Sequence, residues 1–283
     1  MIIKSANRVV EIGPDQRTVM IGERINPTGK KRLAASLQQG DLSIVRQEAI
    51  QQESAGANIL DVNVGAAGVD EVTLLPQAVQ AVREATSLPI CVDSANAKAL
   101  EAALAMLREL EPEGIPLVNS VNGEESSLES ILPLAAEYNT AVIGLCMDDN
   151  GIPDTVSGRV SVAAKILERA QSLGIDRDRV LIDGLALTMG ADSQAGRTTL
   201  ETLSAIRQDL GACTVLGASN ASFGLPDREI LNGVFFSLAI HAGANALIMD
   251  VKKTGMYVAA ADLALGRDEY AMAYIQEYRK RKK

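Results

Sequence analysis

The stretch ILDVN at residues 59–63 and the amphipathic segment at residues 74–86 form one unit of the pattern that decides the fold. The short apolar run predicts a buried strand, and the helical spacing of apolar residues after it predicts a helix that covers the strand. Eight units of this kind follow one another along the chain. Alternation of strand and helix predicts an α/β protein with a parallel sheet and right-handed crossovers, and eight units favour closure as a (β/α)8 TIM barrel.

The predicted barrel accounts for most of the 283 residues, and we expect residues 1–283 to form a single domain. The predicted strands cover residues 19–23, 59–63, 89–93, 116–119, 141–145, 180–183, 214–217 and 246–249. The predicted helices cover residues 43–56, 74–86, 96–110, 126–138, 156–173, 198–210, 226–242 and 256–278. A capping box is predicted at residues 126–129. Residues 1–18 are an N-terminal extension that we expect to cover the barrel bottom or to pack alongside the barrel.

The charge of the chain excludes one class of partner. A formal net charge of −9, from 27 basic and 36 acidic residues, argues against nucleic acid, because phosphate binding needs clustered Lys and Arg. The basic end at residues 279–283 is the exception. We interpret it as a solvated helix end that suits the negative end of the helix dipole.

Cysteine and histidine are too few and too scattered to suggest a metal site. Cys91, Cys146 and Cys213 lie in apolar runs without a CxxC pair, and the single histidine, His241, is expected to be packed or on the surface. We therefore predict reduced thiols and no metal bound by the protein. No apolar run is long enough to span a bilayer, and the first residues lack the apolar stretch of a signal peptide. These features predict a soluble cytoplasmic protein without a membrane partner.

Polar side chains end nearly every predicted strand. In a barrel of this type the active site lies at the C-terminal ends of the strands. The residues at these ends are Glu23, Asp61, Asn63, Asp93, Asn119, Met147, Asp148, Asp183, Ser219, Asn220 and Asp250. An unpaired buried carboxylate is costly unless it is neutralised or finds donors. Helix capping is the alternative explanation for any single Asp or Asn, although it explains the whole set less well.

This set of side chains offers many hydrogen-bond acceptors and few cations. It predicts a ligand that is rich in N–H donors and roughly neutral at its buried end. A pterin has these properties, because its amino group and the adjacent ring N–H match a carboxylate with two parallel hydrogen bonds. Magnesium bound by carboxylates and sugar chemistry by a pair of acids are competing explanations.

The strand-end motifs resemble those of one family of enzymes. They are MIGERIN at residues 20–26, LDVNVG at 60–65, CVDS at 91–94, VNS at 118–120, LID at 181–183 and GASNASFGLPDR at 217–228. Together they are similar to the motifs of the methyltetrahydrofolate:corrinoid/iron–sulfur protein methyltransferases. The folate module of cobalamin-dependent methionine synthase is similar, and the dihydropteroate synthases share the pterin-binding barrel.

The resemblance implies site residues at the matching positions. The set implied to bind the pterin is Asp93, Asn119, Asp183, Gly217, Ser219 and Asn220. Asn220 matches the asparagine that hydrogen-bonds near N5, and it is the implied catalytic residue. Further candidate site residues are Glu23, Arg24, Asp61, Asn63, Met147 and Arg228.

The implied reaction moves the N5 methyl group between methyltetrahydrofolate and the cobalt of a cobalamin-type corrinoid. A partner protein carries the corrinoid, and the family is typically homodimeric, so we expect a homodimer. A dihydropteroate synthase reaction is the rival on the same barrel. A non-catalytic folate-binding module and a metal-dependent aldolase are the remaining alternatives.

Overall fold

Ten strands and ten α-helices make up the part of the chain that the computed structural model describes, which is residues 1–281. The strands are β1 (Ile2–Lys4), β2 (Val9–Glu11), β3 (Val19–Ile25), β4 (Ile59–Val62), β5 (Ile90–Asp93), β6 (Leu117–Asn122), β7 (Ala141–Leu145), β8 (Val180–Asp183), β9 (Thr214–Gly217) and β10 (Ala244–Met249). The helices are α1 (Lys31–Gln38), α2 (Ser43–Ser54), α3 (Glu71–Ala85), α4 (Ala97–Leu110), α5 (Glu125–Glu137), α6 (Val156–Ser172), α7 (Ala195–Ala205), α8 (Arg228–Ala242), α9 (Val251–Ala264) and α10 (Met272–Arg281).

Strands β3 to β10 form a closed barrel in which neighbouring strands are parallel. The strands follow one another around the ring in chain order, and β10 pairs with β3 to close it. The predicted (β/α)8 fold is therefore confirmed, with all eight predicted strands in place and their bounds shifted by up to three residues.

The single closing helix predicted at residues 256–278 is wrong. The structure has two helices there, α9 and α10, separated by residues 265–271. Gly266 has a φ of +74°, a conformation that L side chains rarely adopt and that ends α9. The carboxylate of Asp268 then accepts two hydrogen bonds of 2.9 Å from backbone N–H groups in the first turn of α10. In the sequence the break is marked by Gly266 and by the polar residues 267–269 that follow it, a helix-stop signal that the predicted single helix ignored.

Two smaller helix predictions also need correction, and one helix was not predicted. The capping box predicted at residues 126–129 is absent, because Ser127 Oγ instead accepts a hydrogen bond from the backbone N–H of Asn122 at 3.1 Å. The helix predicted at residues 198–210 starts three residues earlier, as α7, and its last turn is a wider π-type turn at Ile206–Leu210. Helix α1, between the first barrel strand and α2, has no counterpart among the predicted helices.

Two apolar cores hold the barrel together, one inside the ring of strands and one between strands and helices. The N-terminal extension supplies Ile3 and Ile12 to the inner core, where both are fully buried against the first residues of the barrel strands. Strands β1 and β2 of the extension pair as an antiparallel hairpin, and the two isoleucines pack against the bottom of the barrel. The polar strand ends are consequently left at the opposite mouth.

Within residues 1–281, no helix is both long enough and apolar enough to cross a membrane. The basic end predicted at residues 279–283 extends past this part of the chain, and Lys282 and Lys283 lie outside the described residues. Arg279 and Lys280 are exposed in the last turn of α10, as expected for a solvated helix end.

Candidate active site

The C-terminal ends of the barrel strands bring most of the candidate site residues to one mouth. Asp93 of β5 pairs in register with Asn119 of β6, and Leu145 of β7 pairs with Asp183 of β8. In a ring of eight strands, β4 and β8 lie opposite each other, so Asp61 and Asp183 are on opposite sides of the mouth. We refer to these two sides as the Asp61–Asp93 pair and the Asp183 site.

The two carboxyl groups of the Asp61–Asp93 pair hydrogen-bond to each other. Asp61 is 1% exposed, and its Oδ1 accepts a hydrogen bond from Asn119 Nδ2 at 3.1 Å. The side chain of Asn63 hydrogen-bonds to Asp93. Burial raises the pKa of Asp61, and burial together with the charge of Asp61 raises the pKa of Asp93 well above its usual range. Each carboxyl group therefore opposes ionisation of the other, and a proton shared between them lets the pair offer a donor as well as acceptors.

The three thiols are unsuited to act as nucleophiles. Cys91 lies beside the Asp61–Asp93 pair, and burial and the two nearby carboxyl charges raise its pKa well above the usual range. Burial also raises the pKa of Cys146 and of Cys213. All three cysteines are free, and a thiol with a raised pKa stays protonated at neutral pH.

The Asp183 site holds a single carboxyl group between two backbone donors. Asp183 Oδ1 accepts a hydrogen bond from the backbone N–H of Leu185 at 2.7 Å, and Oδ2 accepts one from Gly217 at 3.1 Å. Burial raises the pKa of Asp183 to about 6, while these two donors and the positive charge of Arg159 lower it. The group is therefore mostly a carboxylate at neutral pH. Each oxygen keeps a lone pair that can accept a further hydrogen bond from a ligand.

Side-chain hydrogen bonds hold the loop after β9 in place, but the Asn220 side chain takes no part in them. Ser219 Oγ donates to Glu23 Oε1 at 2.6 Å. Arg228 donates through Nη2 to the carbonyl of Ser219 at 2.7 Å and through Nε to Ser222 Oγ at 3.0 Å. Asn220 is exposed, and its amide side chain has no hydrogen-bond partner within residues 1–281. The loop thus holds a free amide in a fixed backbone.

Lys30 is a cation near the mouth that is missing from the predicted site. Its Nζ donates to the backbone carbonyls of Glu23 at 3.3 Å and Asn26 at 2.9 Å. Burial lowers the pKa of Lys30, and burial raises the pKa of Glu23 although Ser219 and Lys30 oppose that rise. The available signal in the sequence was its position, seven residues after Glu23 in the loop that leaves the first barrel strand.

Two candidates are not brought into either carboxylate group. The Arg24 side chain faces the helices, where it forms ion pairs with Glu48 at 3.5 Å and with Asp250 at 3.6 Å. Met147 is half-buried, and its backbone N–H donates to the carbonyl of Leu145 at 2.8 Å.

Helix capping does not explain the strand-end residues. The side chains that accept hydrogen bonds from the first turns of α-helices include Asp70, Asn96, Thr155 and Asp268, none of which ends a barrel strand. Asp250 directly precedes α9, but its side chain forms no cap hydrogen bond. The carboxyl groups of Asp61 and Asp93 are instead buried against each other.

Arg159 is a further residue that the sequence analysis missed. It lies in the first turn of α6, and it is 1% exposed. Its guanidinium donates three hydrogen bonds of 2.9 Å to the carbonyl oxygens of Pro153, Gly184 and Leu185. The available signal was its position three residues before Val162, on the apolar face of the predicted helix.

Within residues 1–281, no group of three or more His, Cys, Asp and Glu side chains is arranged to hold a metal ion. His241 is exposed on α8, which confirms the expected surface position. The buried carboxyl groups of the mouth are satisfied by amide, hydroxyl and backbone N–H donors.

Comparison with known proteins gives matches over nearly the whole chain. The sequence profile of the family described as pterin binding enzyme matches residues 22–250. The chain is 30% identical over 274 residues to a methylcorrinoid:tetrahydrofolate methyltransferase of Eubacterium limosum, covering 93% of this chain and 97% of that protein. It is 30% identical over 264 residues to a methionine synthase of Mycobacterium tuberculosis, covering 89% of this chain but 22% of that longer protein.

Solved structures of dihydropteroate synthases have a similar fold. The enzyme of Yersinia pestis matches with a TM-score of 0.68 at 17% identity, covering 94% of this chain and 99% of that chain. The enzyme of Vibrio fischeri matches with a TM-score of 0.71 at 19% identity and the same coverage of both chains. At these identities the likeness concerns the barrel fold alone.

Proposed function

Because the chain belongs to the pterin-binding enzyme family, we propose that it moves the N5 methyl group between methyltetrahydrofolate and the cobalt of a corrinoid protein. Similarity to a methylcorrinoid:tetrahydrofolate methyltransferase over 97% of that protein supports this specific reaction. The structural observation that carries the proposal is the combination of a charged carboxylate, Asp183, with an unpartnered amide, Asn220, on neighbouring strand ends.

The proposed folate site is the mouth of the barrel. The Asp183 carboxylate accepts two parallel hydrogen bonds from the pterin amino group and the adjacent ring N–H. Gly217 and Ser219 lie beneath the ring in this arrangement. A pKa of about 6 supports this role, because Asp183 is then charged at neutral pH and needs no cation from the ligand.

The Asp61–Asp93 pair suits another part of the pterin ring. A pterin carries hydrogen-bond acceptors as well as donors, and two carboxyl groups that share one proton offer both functions. Asn119 donates to Asp61 and so fixes which oxygen remains available. The pair therefore helps to orient the ring that Asp183 holds.

Methyltetrahydrofolate is a poor methyl donor because its nitrogen must leave with the electron pair of the broken bond. In the proposed step Co(I) supplies the electron pair of a new bond to the methyl carbon and becomes Co(III). The bond from that carbon to N5 breaks, and N5 keeps its electron pair and takes up a proton from solvent. The Asn220 amide donates a hydrogen bond to N5 that strengthens as charge develops there. An amide needs no shifted pKa for this task, and the reverse reaction uses the same transition state.

Three further features belong to the proposal. The corrinoid is a substrate that a partner protein carries to the mouth, not a group resident in this chain. A homodimer is supported by an exposed apolar stripe on α8, formed by Ile230, Val234 and Leu238 at four-residue spacing. A cytoplasmic location is supported by three free cysteines, since thiols stay reduced there. Light scattering should give twice the chain mass of 29.9 kDa.

The test of the reaction uses the purified chain with methyltetrahydrofolate and Co(I) cobalamin. We expect calorimetric binding of the folate and loss of Co(I) absorbance as methylcobalamin forms. Absence of both would overturn the proposal, and binding without transfer would favour a non-catalytic folate module. Product from a pterin pyrophosphate and p-aminobenzoate would favour a dihydropteroate synthase, and loss of activity with a chelator would favour a metal-dependent aldolase.

A further inference from the structure

Arg159 is buried without an acidic partner at ion-pair distance in the described chain. Its guanidinium donates hydrogen bonds of 2.9 Å to three backbone carbonyl oxygens. Burial lowers the pKa of Arg159, but an arginine side chain keeps its charge in proteins. A buried guanidinium whose hydrogen bonds all go to backbone carbonyls needs those carbonyls to stay in place, so Arg159 and the loops it contacts fix one another.

The loop that Arg159 contacts is the one that carries Asp183. Two of the three carbonyls belong to Gly184 and Leu185, directly after Asp183 at the end of β8. Leu185 has a φ of +58°, in the left-handed region that residues other than glycine rarely adopt. In that conformation its N–H points back to Asp183 Oδ1, at 2.7 Å. Surrounding contacts must hold such a residue in place, and the two hydrogen bonds from Arg159 do so.

We infer that Arg159 is a positioning residue for the pterin site, which fixes the residue 184–185 backbone so that Asp183 keeps its place and its charge. This inference rests on the proposed function, because it assigns Asp183 the task of binding the pterin. Arg159 itself acts through Asp183 and the backbone that follows it. No sequence motif of the family described above contains this residue.

The charges around Asp183 support the inference. The titratable groups that face Asp183 are Arg159 from α6 and the Cys146 thiol from the end of β7, while Asp154 interacts with Arg159. Burial raises the pKa of Cys146, so this thiol is neutral. Arg159 is thus the one full charge among them that lowers the pKa of Asp183. Removing Arg159 should raise the pKa of Asp183 for two reasons. The positive charge is lost, and the Leu185 N–H, no longer held in place, forms a weaker hydrogen bond to the carboxylate.

Arg83 provides a matched control at the other end of the barrel. Its guanidinium also donates to backbone carbonyls of the loop that follows its helix, those of Thr86 and Leu88, and its Nη1 lies 3.5 Å from a Glu111 carboxylate oxygen. Arg83→Met therefore removes a comparable set of bonds without touching the mouth. A variant that only weakens the fold should behave like Arg83→Met.

The experiment measures methyltetrahydrofolate binding by calorimetry from pH 5.5 to pH 8 for the wild type, Arg159→Met and Arg83→Met. Binding needs the Asp183 carboxylate, so wild-type affinity falls as pH drops through about 6. A rise of about one unit in the Asp183 pKa, the lower end for loss of a close opposite charge, moves this fall to higher pH. The ratio of variant to wild-type dissociation constants should then grow by about sevenfold from pH 8 to pH 5.5. For Arg83→Met the ratio should stay constant.

The possible outcomes separate this inference from the proposed function. A wild type that does not bind methyltetrahydrofolate overturns the proposed function. A wild type that binds, together with an Arg159→Met ratio that is independent of pH, overturns the inference alone and leaves Arg159 a structural residue. If Arg159→Met does not fold, Arg159→Lys decides. It keeps the charge but not the fork that bridges Gly184 and Leu185, so we expect a wild-type pH midpoint with about fivefold weaker binding. Unchanged affinity in Arg159→Lys would contradict the positioning role.

Discussion

The buried carboxyl groups on the two sides of the barrel mouth have different hydrogen-bond partners. On one side, Asp61 and Asp93 hydrogen-bond to each other and share a proton. On the other side, Asp183 is alone between two backbone N–H donors and stays charged at neutral pH. Burial raises the pKa in all three cases, so burial does not distinguish them.

The neighbours of each group make the difference. A second carboxyl group opposes ionisation, whereas N–H donors and the Arg159 guanidinium favour it. One mouth can therefore present a fixed negative charge to one edge of a ligand and a mixed donor and acceptor to another. This asymmetry orients a flat heterocycle, because turning the ring over would place its hydrogen-bond acceptors against the Asp183 carboxylate, which can only accept.

We expect the largest effect of any substitution at Asn220, and we expect it on the rate of methyl transfer more than on folate binding. Replacing it in Asn220→Ala removes the proposed donor to N5 but leaves both carboxylate groups unchanged. Loss of one preorganised donor lowers a rate by roughly 10²–10³. Single-turnover methyl transfer to Co(I) should fall by that factor, while the folate dissociation constant should change much less. An unchanged transfer rate would show that Asn220 has no role in the reaction.

Asp183→Ala removes the carboxylate of the Asp183 site. The pterin amino group and ring N–H would be left without an acceptor, at a cost of about 1–3 kcal/mol, or roughly 5- to 150-fold in affinity. Calorimetry should show this loss, and the transfer rate at saturating folate should fall less. Affinity equal to that of the wild type would mean that another acid binds the pyrimidine edge.

Asp93→Asn tests the Asp61–Asp93 pair through the pH dependence of protein stability, measured without folate. A raised pKa means that the folded protein binds more protons than the unfolded chain above the unfolded pKa of about 3.9. The free energy of unfolding of the wild type therefore falls as pH rises through this window. Asp93→Asn removes one of the two competing carboxyl groups, so this loss becomes smaller. The variant's Tm relative to wild type should rise by about 2–4 °C from pH 5 to pH 8, which corresponds to about 1 kcal/mol.

Asp183→Asn is the control for that measurement. The Asp183 pKa of about 6 confines its own contribution to lower pH, so its difference in Tm from the wild type should level off near pH 7. The Asp93→Asn profile should have a different shape, because the charge of a second carboxyl group, absent at the Asp183 site, also raises the Asp93 pKa. Identical profiles for the two variants would mean that the two sides of the mouth do not differ.

The sequence predicts the barrel well because each strand is a short apolar run that ends in a polar residue. This pattern is local, and it survives folding because the same strand positions face the core. The break between α9 and α10 was missed although Gly266 and the polar residues 267–269 mark it, and positive φ values at Gly266, Tyr270 and Ala271 reverse the backbone there. Helix ends of this kind depend on backbone conformation more than on periodicity.

The carboxyl groups of the site were predictable from their positions after the strands, whereas the cations were not. Arg159 reaches the carbonyl of Gly184, 25 residues away, and Lys30 reaches the carbonyl of Glu23. Bonds to backbone oxygens leave no pattern of side chains in the sequence. The shared proton of Asp61 and Asp93 was also hidden, because it depends on the register in which β4 pairs with β5.

We expect the smallest effect on folate binding from a substitution of Leu185, whose backbone N–H donates to Asp183. Asp183 is held by the backbone N–H of Leu185, so the Leu185 side chain should matter little to binding. Leu185→Gly removes a half-buried side chain but also removes the cost of a positive φ, and each contribution is about 1 kcal/mol, with opposite signs. We expect the Tm to change by less than about 2 °C and the folate dissociation constant by less than about twofold. Binding that weakens more than about tenfold, or 1.4 kcal/mol, would mean that the leucine side chain, and not its N–H, keeps the carboxylate in place.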